Sequence, residues 1–381
     1  MDFAMTDEQQ RLREAIMRFA SSELNDDLVH RDADSAFSPE AWKRCAAIGL
    51  QGLPVPEAYG GAGADALSVI IAMEALGYGC RDNGLIFSLN AQMWSCETPL
   101  IRFGTEEQKQ RYLPGLCDGS LMGVQCMTES ASGSDAFALE TTARRVSSGY
   151  VLNGTKTFIT NAPVADVFVV FASTDREKRF AGISAFVVDR RAPGVSVGPP
   201  FHKMGLRTSP MSEVVFSDCE VAVDRLLGPE GAGAAIFNHS MDWERSCILA
   251  SAVGTMQRQL DRSISYARER RQFGQPIGKF EAVSHRIADM KLRIETSRWL
   301  MYRLGWLKQA GEPAPLESAL VKLHLSESFL ATSLDTLQVH GGYGYMTESE
   351  IERDVRDAVA SRIYSGTSDI QRNLVAAHLG L

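Results

Sequence analysis

The sequence predicts an α+β chain in three parts: an N-terminal helical domain, a central β-sandwich or barrel domain, and a C-terminal four-helix bundle. Three observations lead there. Apolar residues recur at helical spacing before residue 122 and again after residue 230. Between those limits lie short runs rich in Val, Phe and Thr, separated by Gly, Pro, Asn, Asp and Ser. At 381 residues, moreover, the chain exceeds one average domain. The divisions are therefore placed at 1–121, 122–230 and 231–381.

The elements follow in order. "TDEQQRLREAIMRFASSEL" offers Thr6 as an N-cap, acidic residues in the first turn, and Leu12, Ile16 and Phe19 on one face. "SPEAWKRCAAIGL" has a Ser-Pro helix start, "GADALSVIIAMEALGYG" is apolar nearly all round and so a buried helix, and "TEEQKQRYLPGL" reads as a short one. The β region comprises "GYVLNGTKTFIT", "ADVFVVFAST", "ISAFVVDR", "GVSVGPPF" and "SEVVFSDCEVA". Helical periodicity returns with "GPEGAGAAIFNHSMDWERSCILASAVGTMQRQLDRSISYARER", and "FEAVSHRIADMKLRIETSRWLMYRL" carries the stripe Val283, Ile287, Met290, Ile294. "LESALVKLHLSESFLATSLDTLQVHGG" and "RDVRDAVASRIYSGTSDIQRNLVAAHLGL" complete the four. Pro/Gly clusters at 193–200 and 228–233 read as a loop and an interdomain joint.

A net charge of -8 argues against a chain that wraps nucleic acid or binds an anionic membrane, because both need summed positive potential. The opening "MDFAMTDEQQ" lacks the basic and apolar regions of a leader, and no window approaches the ~18 apolar residues of a membrane span, so a cytoplasmic protein is expected. Seven cysteines without any CxxC pair favour free, mostly buried thiols. Seven histidines without HxxxH or HxH spacing indicate no metal site.

Six short stretches could carry chemistry, and each also has a plain structural reading. "CMTESASGSD", 126–135, offers hydroxyls and backbone N–H groups to a polar ligand, or is a solvated loop. "TKTFIT", 155–160, alternates as a strand and would put Phe158 and Thr160 on one face, able to cover a flat heteroaromatic ring, or is ordinary core and surface. "RERRQFG", 268–274, sets guanidinium forks suited to pyrophosphate, or is a basic face at a helix end. "LQVHGGYGYMTE", 337–348, caps a helix at Gly341–Gly342 by default, or lets backbone approach a cofactor. "MDWERS", 241–246, places Asp242, Glu244 and Arg245 among apolar neighbours, where desolvation raises a carboxylate toward a general base; the alternative is a surface carboxylate paired with Arg. "YSGT", 364–367, is a Gly-hinged hydroxyl segment whose serine has no evident basic partner.

Taken together and in order, "CMTESASGSD", "TKTFITN", "ARERRQFGQPIGKFEAV", "LQVHGGYGYMTE" and "YSGTSDIQR" resemble the acyl-CoA dehydrogenase family over essentially the whole chain. The resemblance implies FAD held between the β domain and the bundle, usually in a homotetramer. Carried over by position, flavin contacts fall on Met127, Thr128, Phe158, Ile159 and Thr160, and Ser134 meets the carrier arm or the cofactor. Arg270, Phe273 and the stretch Gln338, Val339, His340, Gly341, Gly342 meet FAD across a subunit boundary, and Thr367 and Asp369 make the last contacts.

The reaction the resemblance implies removes an α-proton from an acyl thioester while a hydride leaves the β-carbon for flavin N5. The thioester oxygen is held by a flavin hydroxyl and the backbone N–H of Ser365, with Gly366 allowing close approach. Many members carry the basic glutamate where this chain has Ser365. A minority, resembling isovaleryl-CoA dehydrogenase, carry it on the first bundle helix in Asp-x-Glu-Arg, matched here by Asp242-Trp243-Glu244-Arg245, so Glu244 is the expected base, with Asp242 and Arg245 beside the substrate. Oxidases, monooxygenases and non-dehydrogenating flavin-binding proteins on the same scaffold form the alternative.

"RDNGLIFSLNAQM", "FITNAPVADVFVV", "GAGAAIFNHSM" and "SRIYSGTSDIQRN" look most like the branch that oxidises prolyl groups on carrier proteins toward pyrrole-2-carboxyl thioesters. A short- or branched-chain acyl-CoA dehydrogenase using free CoA is the other substrate reading. The electron acceptor, an electron-transfer flavoprotein or oxygen, is left open.

Overall fold

The computed structural model describes residues 4–381, so the first three residues of the opening stretch and of the first expected part lie outside it. Seven helices come first: α1 (Asp7–Glu23), α2 (Leu28–Ala33), α3 (Pro39–Ala47), α4 (Ala66–Gly79), α5 (Asn83–Gln92), α6 (Thr98–Phe103) and α7 (Glu106–Cys117). Thr6 caps α1 as expected and closes a reciprocal box with Gln9; Thr105 and Gln108 do the same for α7. Ser38 caps α3, with Pro39 at its first position, where no N–H is missed.

Strands β1 (Gly123–Cys126), β2 (Thr142–Val146), β3 (Gly149–Thr160), β4 (Val167–Ser173), β5 (Ile183–Asp189), β6 (Val195–Val197), β7 (Met211–Ala222) and β8 (Leu226–Leu227) form one mixed sheet ordered β6-β7-β3-β2-β4-β5-β8, with β1 parallel to β4. Its two halves meet in sequence only through the pair Thr142–Ser173. They also fold over a shared core: Tyr150, Leu152 and Phe216 from one half pack with Phe168, Val170 and Phe186 from the other. The opposite face of β4, with Val167, Val169 and Phe171, packs on Leu100, Tyr112, Leu113 and Leu116 of the helices. Strand β4 is therefore buried on both faces, and each fully buried Phe contributes roughly 1.5–3 kcal/mol.

Helices α8 (Gly233–Cys247), α9 (Ala250–Glu269), α10 (Glu281–Gln309), α11 (Pro315–His340), α12 (Gly342–Tyr345), α13 (Ile351–Ser361) and α14 (Ser368–His378) follow, with the two-stranded ribbon β9 (Arg271–Gln272) and β10 (Gln275–Pro276) after α9. Two sequence expectations need correction. The first and last long helices are not continuous: α8 and α9 separate at Ile248–Leu249, and α13 and α14 separate around Tyr364–Thr367. The second break has a local cause, since Ser365 and Gly366 both adopt positive φ, +56° and +87°, which no helix accommodates. On α10, Met290 and Ile294 are buried as the stripe predicts, whereas Val283 and Ile287 are only half-buried near the helix start.

N-terminal and C-terminal helices share one core, which holds Leu76 and Trp94 together with Val253, Met290 and Leu325. Two glycines permit the closest crossing. A Cβ on Gly77 of α4 would stand 1.9 Å from Ser251 O, and one on Gly254 of α9 would stand 1.9 Å from Glu74 O. All seven cysteines are free and buried. Among the described residues no helix is long and apolar enough to cross a membrane.

Candidate active site

The break between α13 and α14 is pinned from three helices. Ser365 O accepts from Arg245 Nε of α8 (3.3 Å) and from Gln371 Nε2 of α14 (3.3 Å). Gly366 O accepts from Gln371 Nε2 (3.0 Å) and from Lys322 Nζ of α11 (2.7 Å), which also donates to Ser361 O (2.9 Å). Thr367 caps α14 by accepting from Ile370 N (3.2 Å). With its carbonyls so tied, the segment has little freedom, yet among the described residues the Ser365 N–H meets no acceptor.

Glu244 lies against this segment, and Ser365 Oγ donates to Glu244 Oε1 at 2.5 Å. The serine side chain thus has a partner, which the sequence does not reveal: it touches the candidate base. Burial pushes the Glu244 carboxyl up from its ordinary value, with the Ser365 hydroxyl, Arg245 and Lys322 pulling the other way. Among the described residues it makes no ion pair, and its Oε2 has no partner. Arg245 is depressed chiefly by burial, Glu244 and Asp242 opposing.

Asp242, two residues earlier, points elsewhere. Its carboxylate is ion-paired with Lys308 of α10 and accepts from Ser318 Oγ (2.9 Å) of α11. Trp243 stacks on Trp94 with centroids 6.1 Å apart.

The loop after β1 is tied to β3. Lys156 Nζ donates to Glu129 Oε1 (2.7 Å) and Met127 O (3.0 Å), and Thr157 N donates to Thr128 O (2.9 Å). Met127 and Thr128 are thereby held beside Phe158, Ile159 and Thr160. The expected strand alternation is interrupted, however: the β3–β7 register shifts between Lys156 and Ile159, and Phe158 takes φ +56°. The bulge turns the Phe158 ring outward, 61% exposed and 5.7 Å from Phe201, while Ile159 is buried and Thr160 half-buried. Among the described residues neither the Thr128 nor the Thr160 hydroxyl makes a hydrogen bond. Ser134 is exposed in the loop that follows.

A second cluster forms at the ends of α9 and α11. Phe273 is 93% exposed at the ribbon tip, with φ +49° there and +84° at Gly274. Arg270 lies over the Tyr343 ring at 5.9 Å. Gly341 caps α11, and Gln338, Gly341 and Gly342 are exposed. Val339 and His340 are instead buried, His340 stacking on Tyr266 at 4.4 Å. Asp369, exposed in the first turn of α14, pairs with Arg372 at 3.1 Å.

Lys322, Gln371, Lys156 and Glu129 were not singled out from sequence. The one available signal was a lone Lys in the apolar run "ALVKLHL". Among the described residues no group of three or more His, Cys, Asp or Glu could hold a metal ion.

Comparison with known proteins gives matches over the whole length. Family models described as acyl-CoA dehydrogenase N-terminal, middle and C-terminal domains match residues 6–120, 125–219 and 231–380. An L-prolyl-[peptidyl-carrier protein] dehydrogenase from Serratia sp. is 42% identical over 381 residues, covering 100% of this chain and 99% of that one. The crystal structure of the prolyl acyl carrier protein oxidase AnaB superposes with a TM-score of 0.98 at 45% identity, over 99% of this chain and 100% of that one. PigA with FAD and proline superposes with a TM-score of 0.98 at 42% identity, covering 100% of both chains.

Proposed function

The chain belongs to the acyl-CoA dehydrogenase family, and on that premise we propose that it is an FAD-dependent dehydrogenase of an acyl thioester, acting on an L-prolyl group carried by a carrier protein and oxidising it toward the pyrrole-2-carboxyl thioester. One observation carries the reading: a carboxylate without a counter-ion, Glu244, stands beside a fixed backbone donor without an acceptor, the Ser365 N–H.

Those two groups suit the removal of a weakly acidic α-proton. The Ser365 N–H donates to the thioester oxygen as charge develops there, and its pinned carbonyl neighbours spare it reorganisation. Glu244 takes the α-proton on Oε2, the oxygen that Ser365 does not occupy. Burial favours the neutral carboxyl, which strengthens the base. Gly366, at φ +87°, shapes the turn, with Gln371 in the space a Cβ would take, and Arg245 and Ser134 are assigned to the arm of the thioester, whereas Asp242 is held away by Lys308 and Ser318.

FAD, when bound, supplies the acceptor for the hydride that leaves the β-carbon. The residues present fit it: an outward Phe158 ring offers a stacking face, and the unengaged Thr128 and Thr160 hydroxyls offer donors beside it. Met127 and Ile159 complete that side. Arg270, Phe273, Gln338, Val339, His340, Gly341, Gly342, Thr367 and Asp369 are assigned to the rest of the cofactor, the first seven from a neighbouring copy in a homotetramer. We place the enzyme in the cytoplasm, with its three parts divided at 121/122 and 230/231 and with an electron-transfer flavoprotein or oxygen taking the electrons.

Anaerobic mixing tests the proposal. A prolyl carrier protein should bleach the flavin, and after turnover with an acceptor the acyl group should lose about four mass units, two per oxidation. Glu244→Gln should slow bleaching by about 10²–10⁴-fold. Bleaching at the wild-type rate in that variant would remove Glu244 as the base, and reaction with CoA esters alone would sink the carrier-protein reading.

A further inference from the structure

Lys322 has no place in the reaction as derived so far. It lies in the N-terminal third of α11, 0% exposed, and among the described residues it makes no ion pair. Its ammonium is held by two carbonyls, Ser361 O and Gly366 O, and faces the Tyr364 ring at 5.7 Å. A buried ammonium without a carboxylate is costly, and an apolar side chain of similar length would fill the same space at less cost. The two carbonyls are what distinguish the position. They bracket Tyr364 and Ser365, and the backbone between them includes the positive φ of Ser365 followed by that of Gly366, a conformation that persists only when its surroundings over-determine it.

We infer that Lys322 is a positioning residue for the thioester oxygen: by tying Ser361 O to Gly366 O it keeps the Ser365 peptide turned so that its free N–H faces the substrate beside Glu244. The inference rests on the function proposed above. It gives the ammonium a second effect, because a positive charge behind the site favours the ionised, proton-accepting form of Glu244.

The charged and titratable groups facing Lys322 are Glu244 and Arg245 of α8, Glu327 of α11 itself, and Tyr364 of the break. Burial and Arg245 pull the ammonium down to about 7, against Glu244 and Glu327. Charge at Lys322 is therefore present below that pH and lost above it, so the anchor loosens on the alkaline side.

The holoenzyme and its Lys322→Met and Lys322→Arg variants are compared with two unreactive probes, pyrrole-2-carboxyl pantetheine thioester and the matching thioether without the carbonyl. Calorimetry should show Lys322→Met binding the thioester about tenfold more weakly and the thioether as the wild type does. Lys322→Arg, which stays charged, should restore thioester binding and move the alkaline limb of the bleaching rate to higher pH. Equal thioester binding by Lys322→Met and wild type would overturn the inference, as would loss of both probes together or an unmoved alkaline limb in Lys322→Arg. A wild-type protein that binds the probes but is bleached by no thioester would instead overturn the dehydrogenase reading.

Discussion

Lys156 and Lys322 are both 0% exposed, and they differ in what surrounds them. Lys156 meets a carboxylate, and that carboxylate is saturated: Glu129 accepts from Lys156 Nζ (2.7 Å), Thr141 Oγ1 (2.5 Å), Thr141 N (3.0 Å) and Glu140 N (2.6 Å). Burial would raise the Glu129 carboxyl, yet Lys156 and the other donors hold it below its ordinary value. Lys322 meets carbonyls only, and the nearest carboxylate, Glu244, keeps one oxygen without a partner. Burial is common to both, so burial does not mark the site. An unfilled base and an unfilled donor side by side do: the first arrangement has nothing left to offer a ligand, and the second retains Glu244 next to the Ser365 N–H.

The comparison breaks most easily at Lys156. Lys156→Met should lower stability by roughly 3–5 kcal/mol, because it strands a buried carboxylate, and Lys156→Met/Glu129→Gln should recover most of that loss. Urea midpoints decide it; a single variant as stable as wild type would mean the pair is not the frozen structure described.

Glu97 sharpens the comparison from another side. It is fully buried away from Glu244, Oε1 accepts from Gln92 Nε2 (2.8 Å), Oε2 has no partner, and burial pushes the carboxyl up to about 8. Its folded value lies above the unfolded one, so its stabilising contribution is complete below pH ~4.5 and declines until the folded value is passed. Glu97→Gln should therefore gain on the wild type by up to about 1.4 kcal/mol per pH unit between those limits and no further above about pH 8. Stability differences that stay constant with pH would show that Glu97 ionises normally.

The smallest effect belongs to Ser365→Ala. The backbone N–H survives, so the bleaching rate at its plateau should change by less than about tenfold. Losing the hydroxyl removes a group that lowers the Glu244 carboxyl, and the acid limb of the pH–rate profile should move upward. A loss as large as that of Glu244→Gln would put the serine side chain in the chemistry.

What the sequence made legible was local. Thr6 and Ser38 cap the helices they precede, and "GYVLNGTKTFIT" is the strand Gly149–Thr160, whereas the short strand Gly123–Cys126 carried no alternation to show it. Phe158 and Thr160 flank the buried Ile159 as alternation predicts, but the bulge before them was hidden, because alternation looks the same with or without one extra residue and only the pairing with β7 exposes it. The break at Ser365 was hidden because the flanking stretches are helical on both sides. Lys322 left only a weak mark, since a single Lys in an apolar run resembles any solvated one and its partner Gly366 lies far along the chain.

The buried thiols have a further consequence. If oxygen takes the electrons, hydrogen peroxide forms inside the protein that made it, and peroxide attacks thiolates far faster than thiols. Burial pushes Cys219 up to about 11 and Cys80, Cys117 and Cys247 up to about 12, with Cys45, Cys96 and Cys126 raised as well. At neutral pH the raised thiols stay protonated, so the cysteines of the catalyst are shielded from its own by-product, and the exposed thioethers of Met204 and Met346 are the sulfur left open to it.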